Sequence, residues 1–175
     1  MTTKKNKLYV LIGVPGCGKS FFATEMTKNL KNCVWVSRDA IRYNAFGGVQ
    51  NVTYDNYFKH ESKVKTEFWN IINAALAKGY DVIADATHIN PASRKNLLSK
   101  IYEKHGDNIA VVFKTPLPLC KERNNTRTGV MKVPDSHVNR LWYSFQYPTF
   151  DEGFQQIVEV DSFGKVIKCE ESEDN

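Results

Sequence analysis

The chain predicts an α/β fold, a parallel sheet of four to five strands flanked by helices, and three observations lead there. Short apolar runs alternate along the sequence with segments whose apolar residues recur every three or four positions. The runs are nearly continuous in hydrophobicity, as expected of strands covered on both faces. A glycine-rich turn joins the first run directly to the first helical pattern. At 175 residues, 42% hydrophobic and 25% charged, the chain suits one domain over residues 1–175, large enough to fold without disulfides or a structural metal.

The elements follow in order. Residues 7–12 form the first strand, and a helix is expected from 19 to 30. A second strand at 33–37 stops at Arg38-Asp39, and a loop marked by Gly47-Gly48 follows. Thr53 suits the cap of a long helix to residue 78, whose stripe Tyr54, Tyr57, Phe58, Val64, Phe68, Ile72, Ala75 and Leu76 is expected to be buried. Gly79 ends it. Residues 81–84 give a third strand, and Asn90-Pro91 open a helix to about 104. A fourth strand spans 108–113. Beyond Pro116 and Pro118 lies a basic helical stretch around 121–127, part of a lid expected over 116–134, and then a helix from 134 to 146. The chain closes with an apolar run at 157–160, a turn at 161–164 and residues 165–168.

Lys and Arg number 24 against 19 Asp and Glu, a formal charge of +5. Four of those acids fall in the acidic tail, 170–175, so residues 1–169 set 24 cations against 15 acids, which favours an anionic partner. Cys17, Cys33, Cys120 and Cys169 are too far apart for a C-x-x-C pair, which points to a reducing compartment. The start lacks the apolar stretch of a signal peptide, and 18 apolar residues never run together, so no membrane association and a cytoplasmic location are expected.

Gly13-Val-Pro15-Gly16-Cys17-Gly18-Lys19-Ser20 fits G-x-x-x-x-G-K-[ST] between the first strand and the first helix. Glycines allow successive backbone N–H groups to turn inward around phosphate oxygens, and the helix N-terminus adds its positive end. Lys19 is placed to reach the β- and γ-phosphates of an NTP, and the Ser20 hydroxyl to bind Mg²⁺. A chance match in a chain of this length is on the order of one per cent. The fold expected is therefore that of the P-loop NTPases. Cys17, near a helix N-terminus, is either a thiol made more acidic or simply a small residue at an unconstrained position.

Ligands of such sheets collect at the carboxyl ends of the strands. The polar residues there are Arg38-Asp39-Ala-Ile-Arg42, Asp85-Ala-Thr87-His88 and the Arg-rich stretch after the fourth strand. Asp39 and Arg42, three apart, share a helical face as a base beside a cation, which is what a hydroxyl acceptor with an anionic group needs. The plainer reading has Asp39 capping a helix and Arg42 solvated. Asp85, ending an apolar strand, resembles the acid that supports the Mg²⁺ shell; the alternative is a turn anchor. Arg123 and Arg127, four apart, with Lys121 and Lys132 nearby, suit a lid that closes over a triphosphate, or a solvated basic helix.

These segments, with Glu122-Arg-Asn-Asn-Thr-Arg127 and Val133-Pro134, resemble the 5′-hydroxyl polynucleotide kinase domain of T-even bacteriophage over roughly residues 8–148. The resemblance implies transfer of the γ-phosphate of ATP, with Mg²⁺, to the 5′-hydroxyl end of RNA or DNA. Gly13 to Ser20, with Arg123 and Arg127, would hold ATP, and Ser20 and Asp85 the metal. Asp39 would be the general base, Arg42 the grip on the phosphate of the nucleic-acid end, with Thr87 beside them, and Arg127 the cation on the transferring group. The segment between Arg127 and Val133 is one residue longer than in those relatives, and His88 stands where they commonly have Asn. Their D-x-D-G-T phosphatase signature has no counterpart, since Val160-Asp-Ser-Phe-Gly164 holds one aspartate, so 3′-phosphate removal is not expected of this chain.

Trp142, Tyr143, Phe145 and Tyr147 suit either base stacking or helix core. Rival readings are a kinase of a small metabolite or nucleoside with the same Asp-x-x-Arg pair, a nucleotide-binding regulator, and a cyclic-phosphate diesterase. The regulator would not need base, cation and lid together. The diesterase would need paired His-x-Thr/Ser motifs, which His60, His88, His105 and His137 do not make.

Overall fold

The first apolar run forms strand β1 (Leu8–Ile12) at the centre of the sheet in the computed structural model, which describes residues 5–45, 53–54 and 56–173. Helix α1 (Lys19–Asn29), strand β2 (Cys33–Ser37), helices α2 (Arg38–Ala45) and α3 (Glu61–Ala77), and strand β3 (Asp81–Asp85) follow. Then come α4 (Pro91–Ser99), β4 (Asn108–Phe113), α5 (Leu117–Asn125), α6 (Asp135–Tyr143), β5 (Gln156–Val160) and β6 (Val166–Glu171). The strand order is β2-β3-β1-β4-β5-β6. The first five are parallel and β6 runs antiparallel to β5. The sixth strand exceeds the four to five parallel strands expected, and its direction follows from a tight turn. Asp161 Oδ1 accepts from Phe163 N at 2.8 Å and from Lys165 N at 2.9 Å, and Gly164 supplies φ +82°. A turn that short can only return the chain antiparallel.

Alternation along β1 sends Leu8, Val10 and Ile12 to a core shared with Phe68, Ile72 and Leu76 of α3. Leu11 goes to the opposite core, with Ala23 of α1 and Ile83, Val111 and Val160. The buried stripe expected on the long helix is thus found from Val64 onward, but the helix begins at Glu61. Thr53 Oγ1 instead accepts from Asn56 N at 3.4 Å and caps a 3-10 turn, Asn56–Phe58. The turn replaces the helix because Tyr57 and Phe58 wrap the Arg42 guanidinium, whose carbon lies 5.2 and 4.7 Å from their ring centres. The expected loop at Gly47-Gly48, and the last two residues of the tail, lie outside the described residues.

Two other helices stop short of their expected ends for similar reasons. Asn73 Nδ2 donates to Lys100 O at 2.9 Å and Asn73 Oδ1 accepts from Tyr102 N at 3.1 Å, so α3 takes the backbone that would have extended α4 towards 104. Gln146 N donates to Ile89 O at 2.8 Å, which draws the chain away from α6 after Tyr143. Trp142 and Phe145 pack against the core, whereas Tyr143 is exposed.

Beneath the loops that follow β3 and α6, Arg94 is fully buried. Its Nε and Nη2 donate to the two Glu152 carboxylate oxygens at 2.7 Å each, and its Nη1 to His88 O and Gln146 O at 2.9 and 3.0 Å. Among the described residues, no helix is long and apolar enough to cross a membrane.

Candidate active site

The loop after β1 turns at two residues in the left-handed region, Gly16 at φ +83° and Gly18 at φ +108°. At Gly16 the need for glycine is doubled, because a Cβ would come 2.1 Å from the Cys120 carbonyl oxygen of α5. Gly13 N donates to Thr87 O at 3.0 Å, and Thr115 Oγ1 to Cys17 O at 2.7 Å, so the residues after β3 and β4 hold the loop from behind. Cys17 is buried among the core residues beneath the loop, so packing constrains its position. Lys19, the first residue of α1, donates its ammonium to the carbonyls of Gly13 and Val14 at 2.8 and 2.9 Å.

In front of this loop opens a cleft of about 330 Å³ at the carboxyl ends of β1, β2 and β3. Pro15, Gly16, Gly18, Lys19 and Ser20 form one wall. Asp39 and Arg42 from α2, and Asp85 and Thr87 from the end of β3, form the next. Arg123 and Arg127 close the third side. Of the phosphate-loop candidates, Gly13 and Cys17 do not line it, and neither do Lys121, Lys132 or the aromatic candidates Trp142, Tyr143, Phe145 and Tyr147.

The Ser37 hydroxyl, not Asp39, accepts from Ala40 N (3.3 Å) at the start of α2. Asp39 is thereby released from capping, and its carboxylate is 64% exposed at the cleft, bonded to Arg42 Nη1 one turn on. Arg42 itself is buried. Its Nε and Nη2 both donate to Glu61 Oε2, at 3.0 and 2.7 Å, and Arg38 pairs with the other Glu61 oxygen. Burial works against the Arg42 charge, but Glu61 and Asp39 outweigh it and hold its pKa above the ordinary value.

Burial pushes the Asp85 carboxyl up, against the opposing pull of Lys19 and Arg127 and the bond from Trp35 Nε1 to Asp85 Oδ2 at 3.1 Å. Among the described residues no group of three or more His, Cys, Asp or Glu could hold a metal alone. Ser20 and Asp85 nevertheless fit Mg²⁺, which takes few protein ligands and completes its shell with phosphate and water. The buried Asp85 carboxylate beside a phosphate cradle is the arrangement that a cation stabilises.

Arg123 and Arg127 are not on one helical face, because α5 ends at Asn125. Arg123 Nη2 donates to Ser162 O in the β5–β6 turn at 2.9 Å. Arg127 lies in the following loop, which Asn124 closes with two bonds: Nδ2 to Val133 O at 2.7 Å and Oδ1 from Val133 N at 3.1 Å. The sequence did not single out Glu61 or Trp35, and it gave Asn124 only as part of a motif. Glu61 and Trp35 act on partners 19 and 50 residues away and leave no local signal.

Residues 8–148 match the sequence profile of the AAA domain family. The chain belongs to that family. A protein of Acanthamoeba polyphaga mimivirus, provisionally named a bifunctional polynucleotide phosphatase/kinase, is 30% identical over 160 residues, 88% of this chain and 33% of that protein. A chain of the Pnkp1/Rnl/Hen1 RNA repair complex is 30% identical with a TM-score of 0.65, over 82% of this chain and 46% of its own. A provisionally assigned kinase of Chloroflexus aurantiacus, 14% identical, matches 91% of this chain and 89% of its own at a TM-score of 0.69 and shows the fold alone. The chain spans about a third of the mimiviral protein's length. The AAA domain assignment and these structures agree with the P-loop fold read from Gly13 to Ser20, and the family assignment implies use of a nucleotide.

Proposed function

We propose that this chain is an ATP-dependent polynucleotide kinase that transfers the γ-phosphate of ATP to the 5′-hydroxyl end of RNA or DNA, as the T-even phage resemblance implies. The observation that carries this reading is the Asp39 carboxylate. It is freed from capping by Ser37, faces the cleft, and is bonded to Arg42 across from the phosphate loop. A nucleotide-binding module has no use for such a group. An enzyme needs it to take the proton of an attacking hydroxyl.

Donor phosphates would lie along the Gly13–Ser20 loop, where backbone N–H groups and Lys19 meet them. Lys19 leaves the Gly13 and Val14 carbonyls to do so. Ser20 and Asp85 would hold a Mg²⁺ ion, which would supply charge neutralisation at those phosphates. The acceptor hydroxyl would stand at Asp39 in line with the γ-phosphorus. Its proton passes to an Asp39 carboxylate oxygen as the new O–P bond forms and the bond to the β-phosphate oxygen breaks, with ADP as the leaving group. Arg127 steadies charge on the transferring group, Arg123 assists, and Arg42 and Thr87 orient the phosphate of the nucleic-acid end. Free thiols at all four cysteines suit a reducing cytoplasm as the setting.

The test is transfer from γ-labelled ATP to 5′-hydroxyl RNA and DNA oligonucleotides beside a panel of nucleosides and sugars. Label on the oligonucleotides supports the proposal, and label on small molecules alone overturns it. Asp39→Ala is expected to abolish transfer while ATP binding persists; an unchanged rate removes Asp39 from the mechanism.

A further inference from the structure

We propose that β6 pairs antiparallel with the β6 of a second copy of this chain, about a two-fold axis at Cys169. Among the described residues β6 ends the strand order, so one side of its backbone faces away from the sheet, and Val166 and Ile167 are each 54% exposed. An exposed edge of this kind is a template for another strand.

The hydrogen-bond parity decides which groups are offered. Ser172 N donates to Gln155 O at 3.0 Å, and alternation from that residue turns the N–H and C=O of Glu170 and Lys168 towards β5. Cys169 and Glu171 turn theirs outward. The regular stretch begins at Lys168, because Glu159 pairs with Lys168 and Val160 with Val166, which leaves Ile167 as a bulge.

Charge fixes the partner and the register. The strand is basic at its start, with Lys165 and Lys168, and acidic at its end, with Glu170, Glu171 and Glu173. Only an antiparallel copy lays the basic end of one along the acidic end of the other. With the axis at Cys169, Lys168 stands opposite Glu170 of the second copy, and by symmetry the contact occurs twice. Centring the axis on Lys168 or on Glu170 keeps the hydrogen bonds but sets like charges face to face, which is destabilising. Lys168 already lies 2.9 Å from Glu170 within the chain, so pairing joins two ion pairs into a quartet. One strand edge buries less than a standard interface, so the dimer is weak and reversible.

Sedimentation equilibrium of the whole chain across a wide concentration range tests this. A monomer–dimer equilibrium is expected. Lys168→Glu and Glu170→Lys should each weaken dimerisation about tenfold, and the double exchange K168E/E170K should bring it back. Both side chains are exposed, at 52% and 42%, so none of these changes threatens folding. A short bis-maleimide should join two chains through Cys169, which is exposed, and not through buried Cys17 or Cys120. A chain that stays monomeric throughout, a double exchange as weak as the single ones, or cross-links that avoid Cys169 would each overturn the proposal.

Discussion

Arg42 is held almost out of water by groups from two helices and a turn: Asp39 on its own helix, Glu61 at the start of α3, and the rings of Tyr57 and Phe58. Its position at the cleft therefore depends on Glu61, which also fixes Arg38. Glu61→Gln keeps the shape and removes the charge. It is expected to cost about 2 kcal/mol in a urea melt, because Asp39 remains as a partner and Glu61 is partly solvated. If Arg42 grips the acceptor as proposed, acceptor KM should rise about tenfold with nucleotide affinity unchanged. His88 is a second such residue. It sits at φ +44°, and its Nδ1 lies 3.1 Å from Leu11 O, which can only accept, so Nδ1 carries the proton of a neutral ring. Burial pushes its pKa down from 6.5 to about 3. Below 6.5 the unfolded chain takes up a proton that the native ring refuses. The contribution of His88 is thus complete above that pH and declines as pH falls towards 3. Going from pH 7 to pH 5 should cost about 2 kcal/mol from this group. Asparagine tolerates the left-handed region and offers an amide donor, so His88→Asn should flatten this part of the stability profile, read from urea melts at pH 5, 6 and 7. An unaltered slope would move the effect elsewhere.

At the scale of elements, α4 is fastened by the Arg94–Glu152 pair, both partners buried and hydrogen-bonded to the surrounding loops. Arg94→Met fills the space but strands the Glu152 carboxylate, and should lower stability by about 4 kcal/mol in chemical denaturation. Much of the element order was legible in the sequence. β1, β3 and β4 are apolar on both faces, and a run of that kind has few other homes. The phosphate loop was legible because its parts are contiguous, and Asp39, Asp85 and Thr87 because strand ends converge. Helix ends were not, since distant side chains set them: Asn73 ends α4 from α3, and Arg42 draws Tyr57 and Phe58 into a turn where the helical spacing continues unbroken. Arg123 and Arg127 share a spacing but not a helix, because Asn124 takes up the backbone of Val133.

Over the whole molecule, 24 cations face 15 acids before the tail begins. If the acceptor is a polynucleotide, each phosphate met by Lys or Arg releases counterions. Acceptor KM should then rise with salt, by a log–log slope of about 0.7 per contacted phosphate on a single strand. Measured against NaCl with oligonucleotides of increasing length, the slope should steepen until the binding track is filled. A nucleoside acceptor would give none. Gly16 lies against Cys120, and Asn124 clasps Val133, so the segment that carries Arg127 has both ends anchored before any ligand arrives. Bringing together the ends of a free loop of that length would set an entropic toll on every encounter. Here that ordering is completed once, during folding, and each turnover of the proposed reaction would have only a short closed loop and one arginine side chain to bring to rest.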